Sequence, residues 1–192
     1  MADSLAPDAV ERLLRGRFGK PYLYAETTPS TQRMLEPDAP EGAVAVAEEQ
    51  TEGRGRLGRR WDAPRHSSVL VSVVLEPAVA PDRLPELSLV AGRAVAAAVA
   101  ETAGLAPTVR FPNDVLINGK KVAGILAEAS GTRVVLGIGV NANQRRDELL
   151  EAATSLRAEM ETPVDRAALL ASILASLERE YDAWLSGSGA SG

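Results

Sequence analysis

Two stretches of this chain concentrate side chains able to handle anions. In EEQTEGRGRLGRRWDAP, residues 48–64, Gly53, Gly55 and Gly58 are interleaved with Arg54, Arg56, Arg59 and Arg60. In RFPNDVLINGKKVAGILAE, residues 110–128, Asn113-Asp114 precede a Lys120-Lys121 pair. Glycines let a backbone fold closely around a ligand. Arginine forks grip carboxylate and phosphate in a bidentate way, whereas lysine brings a compact point charge. Such a set suits ligands carrying both a carboxylate and a phosphate. Joining a carboxylate to a nucleotide α-phosphate brings two anions together, and cations must lower that repulsion.

Other readings of the first stretch compete. Gly53, Gly55 and Gly58 spell G-x-G-x-x-G, but a dinucleotide loop must open a helix. Here Pro64 and a β-branched run follow instead. A phosphate-binding loop of the Walker type needs Lys-Ser/Thr after Gly58, where Arg59-Arg60 stand, and no kinase H-R-D or D-F-G follows. An arginine-rich arm for nucleic acid and a plain solvated loop remain open readings.

The chain has 192 residues, net charge −5 and 45 % hydrophobic residues, which suits one domain with a substantial core. A general nucleic-acid binder would be basic overall, so local positive charge here favours a small anionic ligand. There is no cysteine and one histidine, His66, which removes thiolate chemistry and multi-histidine metal sites. Lysine occurs only at 20, 120 and 121, so an adjacent pair stands out from the arginine background. No membrane span or signal-peptide core is read, and a cytoplasmic location is expected. His66 beside Ser67 and Ser68 lacks the nucleophile-elbow pattern of a hydrolytic triad.

The elements that must position these groups alternate in period. Asp8–Arg17 reads as a short amphipathic helix, and Ser30 as the N-cap of a helix over Thr31–Glu36. Strands are expected over Gly42–Glu48 and Ser67–Leu75, and a buried helix over Leu84–Ala103 with Gly104 past its end. Asn118-Gly119 between apolar runs marks a tight hairpin, so Lys120 and Lys121 open its return strand. Thr132–Val140 should pair with Ile125–Ala129 through Ser130-Gly131. Asp165 caps a last helix whose stripe is Leu170, Ile173, Leu174, Leu177, Tyr181 and Trp184. Strands grouped between 42 and 140 and bracketed by helices argue an α+β fold.

With these residues in view, GRGRLGRRW (53–61), RFPNDVLINGKKVAGILAE (110–128) and GIGVNAN (137–143) resemble the biotin protein ligases. The family forms are G-R-G-R-x-G-R-x-W, K-W-P-N-D-x-x-x-x-x-x-K-x-x-G-I-L-x-E and G-x-G-x-N-x-N; its S-T-N element is similar to Ser30-Thr31-Gln32. Order and spacing agree over roughly residues 20–185. The resemblance implies a mixed, largely antiparallel β-sheet packed with helices, of the class II aminoacyl-tRNA synthetase/biotin ligase-like type. It also implies a two-step reaction. Biotin and MgATP yield biotinyl-5′-AMP, and the acyl group passes to a lysine of a biotin carboxyl carrier domain of acetyl-CoA carboxylase or a related carboxylase. A lipoate or octanoate transferase of the same fold, or a biotin-binding module with little turnover, are the alternatives.

By the same resemblance, Ser30, Thr31, Gln32, Gln50 and Gly124 would line the biotin ring. Arg54, Gly55 and Arg56 would close over its carboxylate end and the adenylate, and Lys121 would lie against the carboxylate and α-phosphate. Arg59, Trp61, Asn113 and Asn141 would face the nucleotide. Catalysis would fall to Lys121 and Arg56, with Asp114 holding a cation or Mg²⁺. Asn113-Asp114 could equally be only a turn, and Trp61 a core anchor of its loop. Small residues such as Ala123 and Gly124 suit a compact bicyclic ring. Arg110-Phe111 replaces the usual Lys-Trp, and Gln32 the usual Asn. A catalytic domain is expected over 1–185 with a flexible Gly/Ser tail over 186–192, without the winged helix or SH3-like domain that many members carry. Members of the family are monomers or homodimers, and neither is read here. No nucleic acid or membrane partner is expected.

Overall fold

The computed structural model describes residues 3–187. One seven-stranded sheet organises it. A short helix α1 (Pro7–Val10) runs into a 3-10 turn at Glu11–Leu13 and is followed by β1 (Tyr22–Ala25), β2 (Val44–Ala47) and β3 (Ser68–Leu75). Then come α2 (Leu87–Ala103), β4 (Thr108–Arg110), β5 (Asp114–Ile117), β6 (Lys120–Ser130), β7 (Arg133–Asn141), α3 (Leu156–Met160) and α4 (Arg166–Leu185). Spatial order is β1-β2-β3-β7-β6-β5-β4. Only β1 and β2 pair in parallel; every other neighbour is antiparallel. The expected α+β class and the largely antiparallel sheet are therefore present.

Alternation along the strands gives the sheet two different faces. Val69, Val71, Val73 and Leu75 of β3 and Leu136, Ile138 and Val140 of β7 enter one continuous core with α2 and α4. The intervening residues of β7 are Val135, Gly137, Gly139 and Asn141, on the opposite face. Part of that face, at Ala43, Ala45 and Val74, is covered by Leu35 with Met34 and Ala39 beside it. The rest is left open, and the open part becomes the cleft. The α4 stripe falls as its spacing requires: Leu170, Ile173, Leu174, Leu177, Tyr181 and Trp184 are all buried. The Asp165 side chain accepts a hydrogen bond from Ala168 N and caps α4.

The β5–β6 hairpin matches its sequence signal. Asn118 and Gly119 both take positive φ, 50° and 77°, as a two-residue primed turn demands. Lys120 accordingly begins β6.

Several elements differ from the sequence reading. The N-terminal helix stops at Leu13 because Arg17 N and Phe18 N donate to Glu178 Oε2, at 2.8 and 3.2 Å, which draws the chain into a bend over α4. Residues 31–34 form a 3-10 turn without a Ser30 side-chain cap. Thr31 N is instead bound by Gln50 Oε1 at 2.8 Å, a tertiary bond that takes the place of helix capping. The long helix begins at Leu87, since Pro85 sits in a preceding 3-10 segment and supplies no N–H. Strands β1 and β4 and helix α3 were not anticipated; each is too short to show periodicity. Of the expected tail, Ser188–Gly192 lies outside the described residues.

A buried ionic junction locks the cleft end of β2 to α4. Arg166 is fully buried, with Nη1 2.6 Å from Glu48 Oε2 and Nε 2.7 Å from Asp3 Oδ2. Burial alone would loosen the arginine proton, but the bonds from Glu48 and Asp3 outweigh it and hold the charge. Glu48 Oε1 also accepts Leu5 N at 2.8 Å, so the N-terminal strap is tied to the same point. Breaking a buried pair from one side strands the other charge. Glu48→Ala is expected to lower unfolding free energy by about 3 kcal/mol in urea titration; a loss under about 1 kcal/mol would be that of an ordinary substitution.

Candidate active site

On the open face, a cavity of about 360 Å³ lies between the sheet and the glycine-arginine loop. Its floor is glycine by necessity. Gly124 of β6 and Gly139 of β7 are cross-strand partners. A Cβ at Gly139 would stand 2.6 Å from Trp61 Cε2, and one at Gly124 2.9 Å from Trp61 Cζ3. The indole therefore rests directly on two side-chain-free positions. Gly137, two residues along β7, leaves room for the Gln32 amide, whose Nε2 would lie 3.3 Å from a Cβ there.

Trp61 is also the foot of the loop. Its N–H donates to Gly53 O at 3.0 Å, Gly55 N donates to Arg59 O at 2.7 Å, and Arg54 and Arg60 form a bridge pair. Residues 53–61 thus make a miniature hairpin whose tip, Leu57 and Gly58, takes positive φ of 58° and 72°. The Trp61 Nε1 donor is buried and unpartnered among the described residues.

At one end of the cavity, hydroxyl and amide groups gather. Thr31 Oγ1 lies 2.7 Å from Ser72 Oγ and 3.1 Å from Gln50 Oε1. Ser30 is buried beside them. Gln32 Nε2 donates to Leu126 O and Val135 O at 3.2 and 3.3 Å. This is a ready set of partners for a neutral polar ring.

At the other end, charge dominates. Lys121 Nζ lies 2.7 Å from Asp114 Oδ1 and 5.5 Å from the Trp61 ring centroid. Arg110 Nη2 grips the second oxygen of Asp114 at 2.6 Å. Burial alone would raise the Asp114 pKa, but hydrogen bonds from Lys121 and Arg110 outweigh it and hold the carboxyl below its ordinary value. The Lys121 backbone is fixed on both sides, donating to Ala152 O at 3.0 Å and accepting from Thr154 N at 2.8 Å. Across the opening, Arg56 Nη1 reaches Asn113 Oδ1 at 3.4 Å, and Arg54 Nη2 bonds Glu128 Oε2 at 2.8 Å. The Arg59 guanidinium has no hydrogen bond or ion pair with a described residue.

Ser30, Thr31, Gln32, Gln50, Arg54, Gly55, Arg56, Arg59, Trp61, Asn113, Asp114, Lys121 and Gly124 are thereby brought around one cavity. Asn141 is not. It is buried outside the cavity lining, donating to Thr154 O and accepting from Gln144 Nε2, both at 3.0 Å. Its amide holds the segment after β7. Ala123 points into the helix-side core, so Gly124 alone of that pair meets the cleft. Asp114 holds two cationic side chains, one of the two roles considered for it. Sequence reasoning missed Ser72, Gly137, Gly139 and Arg110. The alternation of Gly137 and Gly139 within an apolar strand was the available signal for the floor.

Among known proteins, the description of the biotin/lipoate A/B protein ligase family matches residues 24–144, more than half of the chain. The bifunctional ligase/repressor BirA of Bacillus subtilis (strain 168) is 37 % identical over 177 residues, covering 85 % of this chain and 54 % of that protein. The biotin–[acetyl-CoA-carboxylase] ligase of Mycobacterium tuberculosis is 39 % identical over 148 residues, covering 75 % and 56 %. This chain spans about half the length of these relatives. Among solved structures, the Aquifex aeolicus biotin protein ligase in complex with biotin and ATP superposes with a TM-score of 0.79 at 33 % identity, covering 87 % of this chain and 72 % of that one.

The Asp114 ion pairs carry a pH signature. A carboxyl whose pKa is depressed by folding adds stability above its unfolded value, about 4, and loses it as pH falls through the folded value. Asp114→Asn should therefore melt earlier than the parent at neutral pH, with the gap closing as pH falls below the unfolded value. A gap that is the same at both pH values would mean the pair contributes nothing through its charge.

Proposed function

The chain belongs to the biotin/lipoate A/B protein ligase family, and from that premise we propose that it condenses biotin with MgATP and then biotinylates a lysine of a carboxyl carrier domain. In the first step a biotin carboxylate oxygen attacks the α-phosphorus. An O–P bond forms, the bond to the β-phosphate oxygen breaks, and pyrophosphate leaves. In the second step the acceptor ε-amine attacks the acyl carbon. A C–N bond forms, the C–O bond to AMP breaks, and the amine gives up a proton.

The observation that carries this reading is the polarity of the cavity. Neutral donors and acceptors gather at one end and a fixed cationic group at the other, over a floor that only glycines leave open. Biotin's bicyclic ring suits the Thr31–Gln50–Ser72 end, with Gln32 alongside. Its valeryl chain fits against the Trp61 ring and Gly124. Its carboxylate then reaches Lys121, and the unpartnered Trp61 Nε1 is a donor that a ligand acceptor could meet.

Lys121 would neutralise charge on the pentavalent phosphorus and stay beside the acyl carbonyl in the second step. Arg54 and Arg56 would fold over the mixed anhydride, with Arg59 and Asn113 toward the nucleotide. Asp114 would keep Lys121 charged and aimed, with Arg110 fixing Asp114. Mg²⁺ would enter with ATP, bound to its phosphates. The setting would be cytoplasmic, as monomer or homodimer, with a biotin carboxyl carrier domain as protein partner.

A pyrophosphate-release assay with biotin and MgATP tests the reading, and release is expected. Stronger competition by lipoate than by biotin would transfer the chain to the lipoate branch of the family. Lys121→Met should cut release by about 10²–10³-fold; a change within threefold would remove Lys121 from the chemistry. Arg56→Gly should let biotinyl-5′-AMP escape and label lysines of bystander proteins such as serum albumin. Bystander labelling equal to the parent's would mean that Arg56 does not retain the adenylate.

A further inference from the structure

Among the described residues, four large hydrophobic side chains are exposed: Leu57, Phe111, Leu150 and Leu185. Two of them, Leu57 and Phe111, stand at the mouth of the cavity, 87 % and 78 % exposed. They come from two separate segments of the rim. Leu57 is the tip of the glycine-arginine hairpin, and Phe111 precedes β5. The bond from Arg56 to Asn113 brings that tip over the 111–114 segment.

Leu57 is unexpected where it is. Its φ of 58° lies in the left-handed region, which strains a leucine and favours glycine or asparagine. A large apolar side chain in such a conformation, almost wholly in water, helps neither the backbone nor the core. The surrounding charge is lopsided too. Arg60 and Arg110 are balanced by Asp62 and Asp114, and Arg54 by Glu128. Arg56 and Arg59 have no carboxylate partner among the described residues, and they flank Leu57. In a chain of net charge −5, this lip is cationic around two apolar points.

We propose that Leu57 and Phe111 form the docking lip for the acceptor protein, which presents an acidic surface with an apolar patch next to its target lysine. This rests on the ligase reading above. On that reading the acyl carbon lies beside Lys121, in the cavity that Leu57 and Phe111 border, so an acceptor amine approaches it past this rim. The body of the acceptor then abuts the lip. Apolar anchors ringed by charge are how a small interface gains both residence and steering. A free amine small enough to diffuse in needs no such surface.

The experiment compares two acceptors. Leu57→Gly, Phe111→Ser and the double variant are assayed for pyrophosphate release, for biotinyl transfer to hydroxylamine, and for transfer to a purified biotin carboxyl carrier domain. In the variants, pyrophosphate release and hydroxylamine transfer should stay within about twofold of the parent. Their kcat/KM for the carrier should fall about tenfold per substitution, mostly through KM, as loss of an interface anchor predicts. In the parent, carrier transfer should weaken as salt rises while hydroxylamine transfer does not. Unchanged carrier kcat/KM in the double variant would overturn the proposal. So would a raised KM for ATP with hydroxylamine as acceptor, which would assign the lip to the nucleotide. A parent that releases no pyrophosphate would instead sink the ligase reading, and the docking lip with it.

Discussion

Trp61 lying on Gly124 and Gly139 is the contact on which the rest of the cleft depends. Four arginines on a glycine-rich hairpin are useful only if they stay over the cavity, and glycine backbones resist being held. The indole supplies the anchor. It spreads across two neighbouring strands at the one place where neither strand carries a side chain. Lys121 Nζ stands 5.5 Å from its ring centroid, and its backbone closes the hairpin through Gly53. Any side chain on the floor would lift the ring, tilt the hairpin and part the arginines from the lysine together. Floor, loop and cation are one mechanical unit, which explains why their glycines, tryptophan and lysine come from segments far apart in the chain.

Electrostatics complete the unit. An ammonium beside several guanidinium groups would be pushed outward in the free protein. Asp114 prevents that by binding Lys121 directly, with Arg110 holding the far oxygen of the same carboxylate. The lysine is thus positioned before any ligand arrives, which is the condition for electrostatic stabilisation without rearrangement. Behind the sheet, Arg166 and Glu48 tie the end of β2 to α4 two residues before Gln50. A rigid scaffold therefore carries the polar end of the cavity, while the hairpin at the cationic end is held mostly by surface bonds.

Much of this was legible in the residues, for definite reasons. Asn118-Gly119 could form only one kind of turn, so the placement of Lys120 and Lys121 at the start of a strand followed. The α4 stripe was readable because six large side chains kept helical spacing. The arginines, Lys121 and Asp114 could be expected around one cavity because the order and spacing of their motifs resemble those of the biotin protein ligases. Other features were hidden because they arise from distant contacts. Nothing local shows that Glu178 takes the amides of Arg17 and Phe18 and ends the first helix. Nothing local shows that the Asn141 amide bonds Thr154 and Gln144. Ser72 reads as an ordinary strand residue until Thr31 is placed against it. The paired glycine floor needed the β6–β7 register, which periodicity suggests but does not number.

A crystal structure of the protein with biotin and a non-hydrolysable ATP analogue tests the central claim most directly. The biotin ring is expected between the Thr31–Gln50 end and the Trp61 ring, with its carboxylate and the α-phosphate both within hydrogen-bonding reach of Lys121 Nζ and the 53–60 hairpin folded down over them. Ligand density elsewhere, with Lys121 still bound only to Asp114 and the hairpin unmoved, would contradict it.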